Sequence, residues 1–288
     1  MSIPKKIHYC WFGGSQMKKD FLKNVETWKK YHPDYEVVRW DESNFDMDDL
    51  PEYIKTATDD CCYAILSDYA RAKILYENGG WYLDTDVEVL QSFFDRYSEY
   101  NMVTPVEYSV DEKNEHDFNR FYRYLIDDEG HRNNGEDGFI SGVAVCMSMI
   151  GAQPHCQALL DIMKSYDTID YEKRDYPGCL FGGPIGPQIY AKALEKYGYV
   201  YLPKEQHLED NILITGTEIM RNGEDENTYD GVTCAVHRCT FSWYVPYLSR
   251  GKRNKTEEWK SDEGTSYVIY GQDCDGPRTY IFYEDANE

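Results

Sequence analysis

The stretch from Lys6 to Trp40 constrains this chain's fold most tightly. Lys6 to Phe12 (KIHYCWF) is rich in β-formers and ends in Gly13-Gly14, the pattern of a strand and a tight turn. Met17 to Tyr31 then sets Phe21, Val25 and Trp28 at helical spacing, and His32-Pro33-Asp34 stops the helix. Tyr35 to Trp40 (YEVVRW) is a second β-rich run. A strand, a helix and a strand in this order form a parallel pair with a right-handed crossover, so the chain opens an α/β sheet.

The clearest helical pattern follows from Asp59 to Asn78, with Ala64, Ile65, Tyr69, Ala72, Leu75 and Tyr76 on one side. Gly79-Gly80 stands where a left-handed cap is expected. Trp81 to Leu90 (WYLDTDVEVL) reads as a β run interrupted by two aspartates, and Ile140 to Met147 as a buried strand. Pro154 to Tyr166 and Pro187 to Tyr197 read as helices opened by proline. Tyr199 to Leu202, Ile212 to Ile214 and Val232 to His237 are short strand candidates. Residues 107–138 are polar and acidic, as an insertion or mobile loop would be. We expect one α/β domain over 1–288, with an irregular C-terminal part at 240–288.

Composition narrows the function classes. At 288 residues and 41% hydrophobic, the chain can bury a sizeable core. A net charge of −22 argues against a general nucleic-acid binder, because a phosphate backbone needs an electropositive face. It also disfavours broad attraction to anionic membranes, although Arg250 to Lys255 forms a small basic island suited to a solvated loop or a headgroup contact. Nine cysteines without a CxxC pair fit reduced thiols in a cytosolic protein. The first residues lack the apolar core of a signal peptide, and no stretch approaches the roughly 18 apolar residues of a membrane span. The expected location is cytoplasmic, with peripheral action at the inner face of a membrane as an option. The 27 tyrosines suit a sugar-binding cleft, but they also pack ordinary cores.

Chemistry concentrates at Asp84-Thr85-Asp86. In an extended segment, residues two apart share a face, so both carboxylates would point the same way. Adjacent acids in an apolar run are costly to ionise unless a cation neutralises them, and an oxygen-rich site suits Mg²⁺ or Mn²⁺. The same spacing also occurs in surface turns. On the preceding helix, Asp68 and Arg71 are i, i+3 neighbours beside Ser67; an intrahelical ion pair is their plainest reading.

Three blocks together resemble a known family: Ile3-Pro4-Lys5-Lys6-Ile7-His8-Tyr9-Cys10-Trp11-Phe12-Gly13-Gly14, Ser67-Asp68-Tyr69-Ala70-Arg71, and Tyr76 through Asp84-Thr85-Asp86 to Val89. They are similar to the DXD sugar-transferases of glycosyltransferase family 32, the group of capsular-polysaccharide transferases and the initiating α-1,6-mannosyltransferase. The resemblance is strong over residues 1–90 and looser to about 245; it extends distantly to the glucosyltransferase domain of the large clostridial toxins. It implies a GT-A fold with a mixed central sheet, a nucleotide-diphospho-sugar donor, Mn²⁺ or Mg²⁺, and retention of anomeric configuration. It further implies that Trp11 stacks near the nucleobase, that Asp68 and Arg71 contact the donor sugar, and that Ser67 and Tyr82 lie close to the donor. Asp86 would ligate the metal directly, while Asp84 shares donor hydroxyls with the metal shell. Gly182 to Pro187 resembles the family's glycine-proline segment on the acceptor side. Val236-His237-Arg238 and Ser242-Trp243 resemble its late elements, making His237 a third metal ligand or diphosphate contact and Trp243 a lid. Arg238 stands where the family usually has a second histidine. The acceptor expected from the resemblance is a glycan or lipid-linked glycan.

Two other readings compete. A D-x-D phosphatase of the haloacid-dehalogenase type wants Thr or Val four residues after its first aspartate, where this chain has Glu88. A nucleotide-sugar-binding protein without catalysis is the second, against which stand Asp68, Arg71, Asp84 and Asp86 together.

Overall fold

The computed structural model describes residues 2–59, 62–108, 123–170, 184–222 and 231–238, and the backbone of 255–260, 266–270 and 280–283. The opening unit is as expected: β1 (Lys6–Cys10), α1 (Lys19–Tyr31) and β2 (Glu36–Trp40), with the two strands parallel. On α1, Phe21, Val25 and Trp28 are buried and pack with Tyr9 and with Trp81 and Leu83 of β3 (Gly80–Leu83). That stripe fixes which face of the sheet the crossover covers. Burial of each such side chain contributes about 1.5–3 kcal/mol.

The helix read from Asp59 to Asn78 begins at Tyr63, as α3 (Tyr63–Asn78), and a separate helix that was not read, α2 (Glu52–Asp59), precedes it. On α3, Ile65, Leu66, Ala70, Ala72, Ile74 and Leu75 are all buried, so this helix is enclosed instead of lying with one face in solvent. It ends at Gly79, whose φ of 63° and N–H bond to the Leu75 carbonyl (2.8 Å) form the expected left-handed stop. A Cβ at Gly79 would lie 2.7 Å from Pro154 Cδ and 2.8 Å from Pro4 Cδ, so space as well as conformation demands glycine.

The main sheet is mixed. It runs β2, β1, β3, β7 (Met149–Ala152), β5 (Met102–Tyr108), β9 (Ile212–Thr215), β8 (Gln206–Leu208), with β6 (Val143–Val145) paired to β5. β3 is parallel to β1, β9 is parallel to β5, and the pairings β3–β7, β5–β7, β5–β6 and β8–β9 are antiparallel. Two further helices, α4 (Gln157–Ser165) and α5 (Gly186–Leu194), bury Leu159, Ile162, Ile189 and Leu194 in the same core as α3. Pro187 lies in the first turn of α5 as read, whereas α4 begins three residues after Pro154. Tyr199 to Leu202 is not a strand; Tyr199 and Tyr201 are buried in a bend that leads to β8.

A second, smaller sheet carries β4 (Val87–Val89), β11 (Ala235–His237) and β10 (Met220–Asn222). The run Trp81 to Leu90 is therefore two strands in two sheets. Within 240–288, the described backbone forms three antiparallel strands, β12 (Lys255–Lys260), β13 (Ser266–Tyr270) and β14 (Tyr280–Tyr283). Among the described residues no helix is long and apolar enough to cross a membrane.

Candidate active site

Asp84, Thr85 and Asp86 form the turn between β3 and β4, not an extended strand. The N–H of Val87 donates to the Asp84 carbonyl (3.0 Å), and the N–H of Asp84 to the Ser148 carbonyl (2.9 Å). The same-face argument of an extended chain thus does not apply; the turn itself brings the two acids together. Neighbouring α1 pins it from one side. Asn24 Nδ2 donates to the Thr85 carbonyl (2.9 Å), Trp28 Nε1 to the Val87 carbonyl (2.7 Å), and the Thr27 hydroxyl accepts from the N–H of Val89 (3.0 Å).

From the small sheet, β11 brings His237 opposite Val87. His237 Nε2 lies 3.3 Å from Asp86 Oδ1, and one ligand atom each of Asp84, Asp86 and His237 lie within 4.8 Å of one another. Two carboxylates and an imidazole fit a divalent cation, with Mn²⁺ well suited to mixed oxygen and nitrogen donors. The next residue, Arg238, donates its backbone N–H to the Asp86 carbonyl (2.9 Å) and pairs its guanidinium with Glu88. Strand alternation separates it from His237, so Arg238 fastens β11 to β4 instead of joining the acidic pair. Glu88 points to that clamp and does not extend the acidic pair.

Behind the turn sits Arg71, 4% exposed. Its guanidinium lies 2.9 Å from Asp68 Oδ1 and 3.2 Å from Asp84 Oδ2, donates to the Met147 carbonyl (2.7 Å), and stands over the Tyr82 ring at 4.6 Å. The Asp68–Arg71 ion pair is therefore real, but it is one part of a buried network that continues into Asp84. Tyr82, 1% exposed, donates its hydroxyl to Asp84 Oδ1 (3.0 Å), so both oxygens of Asp84 are held from below. Burial works against Arg71's charge, yet Asp84, Tyr82 and Asp68 outweigh it and keep the guanidinium protonated well above its usual range. Burial pushes the Asp68 carboxyl up to about 7, with Arg71 pulling the other way. The backbone N–H of Gly186, at the start of α5, also donates to Asp68. A Cβ at Gly186 would lie 2.5 Å from Asp68 Oδ2, so the glycine-proline segment allows α5 to close on this carboxyl.

Trp11 follows β1 at the same sheet edge as the turn, since β1 and β3 run parallel with His8 level with Tyr82. It is half-buried, anchored by Nε1 to the Ser15 carbonyl (2.7 Å) and edge-on to Phe21. Ser67 is half-buried one turn before Arg71, and its carbonyl accepts from Arg71 Nε (3.1 Å). His8 is a packed strand residue: Trp40 Nε1 donates to its Nδ1 (3.1 Å), its Nε2 meets the Gly79 carbonyl (3.0 Å), and burial lowers it to about 4. Trp243, Ser242, Gly182, Gly183 and the island at 250–254 lie outside the described residues. Sequence reasoning missed Asn24, Thr27, Met147 and Ser148, which hold the site through backbone or hydroxyl bonds that leave no charge pattern to read.

Residues 18–109 match the family described as the glycosyltransferase sugar-binding region containing the DXD motif. Among solved structures, the PaToxG glycosyltransferase is similar at 16% identity and a TM-score of 0.46, covering 68% of this chain and 70% of its own. A glycosyltransferase involved in glycosylation of the major capsid of PBCV-1 is similar at 10% identity and a TM-score of 0.39, with 85% and 98% covered. The galactosyltransferase LgtC, in complex with donor and acceptor sugar analogs, is similar at 12% identity and a TM-score of 0.31, with 81% and 87% covered. No curated protein matches the sequence. The matched span holds Asp68, Arg71 and the Asp84-Thr85-Asp86 turn, which belong to two of the three blocks that carry the sequence resemblance.

Proposed function

We propose that the protein is a metal-dependent, retaining glycosyltransferase of GT-A type. It would move a hexose from a nucleotide-diphospho-sugar, with a UDP-hexose the favoured donor, to a glycan acceptor in cell-surface polysaccharide synthesis. The observation that carries this reading is the convergence of Asp84, Asp86 and His237 within 4.8 Å, backed by the buried Asp68–Arg71–Asp84 network.

Asp86 and His237 would hold Mn²⁺ or Mg²⁺ directly, with Asp84 completing the set; the bound cation supplies Lewis-acid stabilisation of the departing diphosphate. Tyr82 and Arg71 fix the Asp84 carboxylate before any ligand arrives, which lowers the reorganisation needed on binding. Asp68 accepts from donor hydroxyls, and Arg71 favours its ionised form against the burial that raises it. Trp11 offers its ring to the nucleobase at the end of β1. The acceptor hydroxyl attacks from the leaving-group face, so the anomeric configuration is kept. The acceptor is a glycan, lipid-linked in the fuller form of the proposal, met on the cytoplasmic side with transient membrane-surface contact.

The test is incubation with UDP-glucose, UDP-galactose and GDP-mannose, with Mn²⁺ or Mg²⁺ and with a chelator. Metal-dependent release of UDP or GDP, with an α-configured product by NMR, supports the proposal. Tight donor binding without turnover over long incubation would point to a binding protein instead.

A further inference from the structure

Glu107 is absent from every motif discussed so far, yet its position in β5 aims it at the site. Along β5, Met102 and Val106 pack into the core beneath α3, α4 and α5, whereas Val103 packs into the other core with Leu83, Val87 and Ala235. Strand alternation places Glu107 on the face of Val103, the side where β4 and β11 carry Asp86 and His237. Its register partner is Ala144 of β6, and the chain leaves β6 through Cys146 to Met147, whose carbonyl binds Arg71. Electrostatics agree with the placement. Glu107 senses His237, and its own charge is felt by Asp68, Cys146 and Tyr199, so its carboxylate is within electrostatic range of both the metal corner and the Asp68 carboxyl.

A half-buried carboxylate in that place is expensive unless something donates to it. Burial raises the Glu107 carboxyl above its usual range, and among the described residues His237 alone works against this, with no hydrogen bond to help it; Glu107 does not join Asp84, Asp86 and His237 in their cluster. A polyhydroxylated ligand would supply the donors. We infer that Glu107 is a further substrate-binding residue, accepting hydrogen bonds from hydroxyls of the transferred sugar across from Asp68. This rests on the glycosyltransferase reading. It assigns the sugar two flanking carboxylates, which suits a neutral hexose and disfavours an acidic one such as a hexuronic acid.

The test measures binding of UDP, UDP-glucose, UDP-galactose, GDP and GDP-mannose by calorimetry with Mn²⁺, for wild type, Glu107→Gln and Glu107→Ala. The expected result is a loss of about tenfold or more in affinity for the sugar-bearing nucleotide that wild type prefers, with binding of the bare nucleotide unchanged. Wild-type affinity of both variants for the donor would overturn the role of Glu107 alone. An equal loss for donor and bare nucleotide, in variants with wild-type melting temperatures, would make Glu107 a support of the metal corner and likewise overturn it. Absence of any nucleotide or nucleotide-sugar binding by wild type would sink the glycosyltransferase reading and this inference with it.

Discussion

Replacing Arg71 with methionine keeps an unbranched stem on α3 but removes the guanidinium that Asp68 and Asp84 share. At 2.9 and 3.2 Å in a buried setting, loss of one partner leaves carboxylates without their cation, a change that typically costs about 3–5 kcal/mol. Asp68 and Asp84 keep 21% and 28% of their side chains exposed, so the lower end, about 3 kcal/mol, is expected. The effect has a pH signature. The folded Asp68 carboxyl sits near 7, above its ordinary 3.8, so its contribution is whole below about pH 4 and is lost as pH rises through 7. Without Arg71 to pull it down, Asp68 titrates still higher, and the loss continues beyond pH 7. Urea unfolding of wild type and Arg71→Met in a chelator, at pH 6.0 and 8.5, should show a deficit that is larger at pH 8.5. A deficit under about 1 kcal/mol at both pH values, or one larger at pH 6.0, would refute the reasoning.

Three further outcomes follow from the same structure. His32 is buried against Phe94, and burial lowers its imidazole to about 4; its neutral form is needed, so stability is full above about 6.5 and lost as pH falls toward 4. His32→Phe should therefore raise the melting temperature at pH 5 relative to wild type, with a smaller change at pH 8. Gly186→Ala places a Cβ against Asp68 and Met147, and should cut kcat/KM for the donor about tenfold while the far-UV spectrum stays native. His237→Gln should weaken Mn²⁺ binding about 10–100-fold, read by calorimetry, while leaving Arg238 and Glu88 to hold β11 on β4.

Where the sequence was legible, periodicity and packing agreed. Phe21, Val25 and Trp28 announce α1 because the same stripe that repeats at helical spacing is the one buried on the sheet. β7 carries no readable signal because it is four residues long with a glycine inside it; the missing side chain of Gly151 leaves room for the Trp81 ring, which a Cβ would approach at 2.9 Å. β5 holds Pro105, a residue uncommon inside a central strand. Pro105 stands where β5 leaves β7 for β6, and its carbonyl accepts from the N–H of Cys146 (2.8 Å). In the site, Asp84 and Asp86 were readable as a pair but not as a turn, because two acids at that spacing look alike in either conformation. The reach of Arg71 to Asp84 depends on how α3 returns beneath β3, which no local pattern encodes.

The central claim is that Asp84, Asp86 and His237 form one cation site serving a nucleotide diphosphate. Manganese binding followed by electron paramagnetic resonance, with and without UDP or GDP, for wild type and Asp86→Ala, tests it most directly. The account predicts one Mn²⁺ per chain in wild type, held more tightly with a nucleotide, and loss of that binding in Asp86→Ala with the fold intact. Undiminished nucleotide-linked Mn²⁺ binding in Asp86→Ala would contradict it.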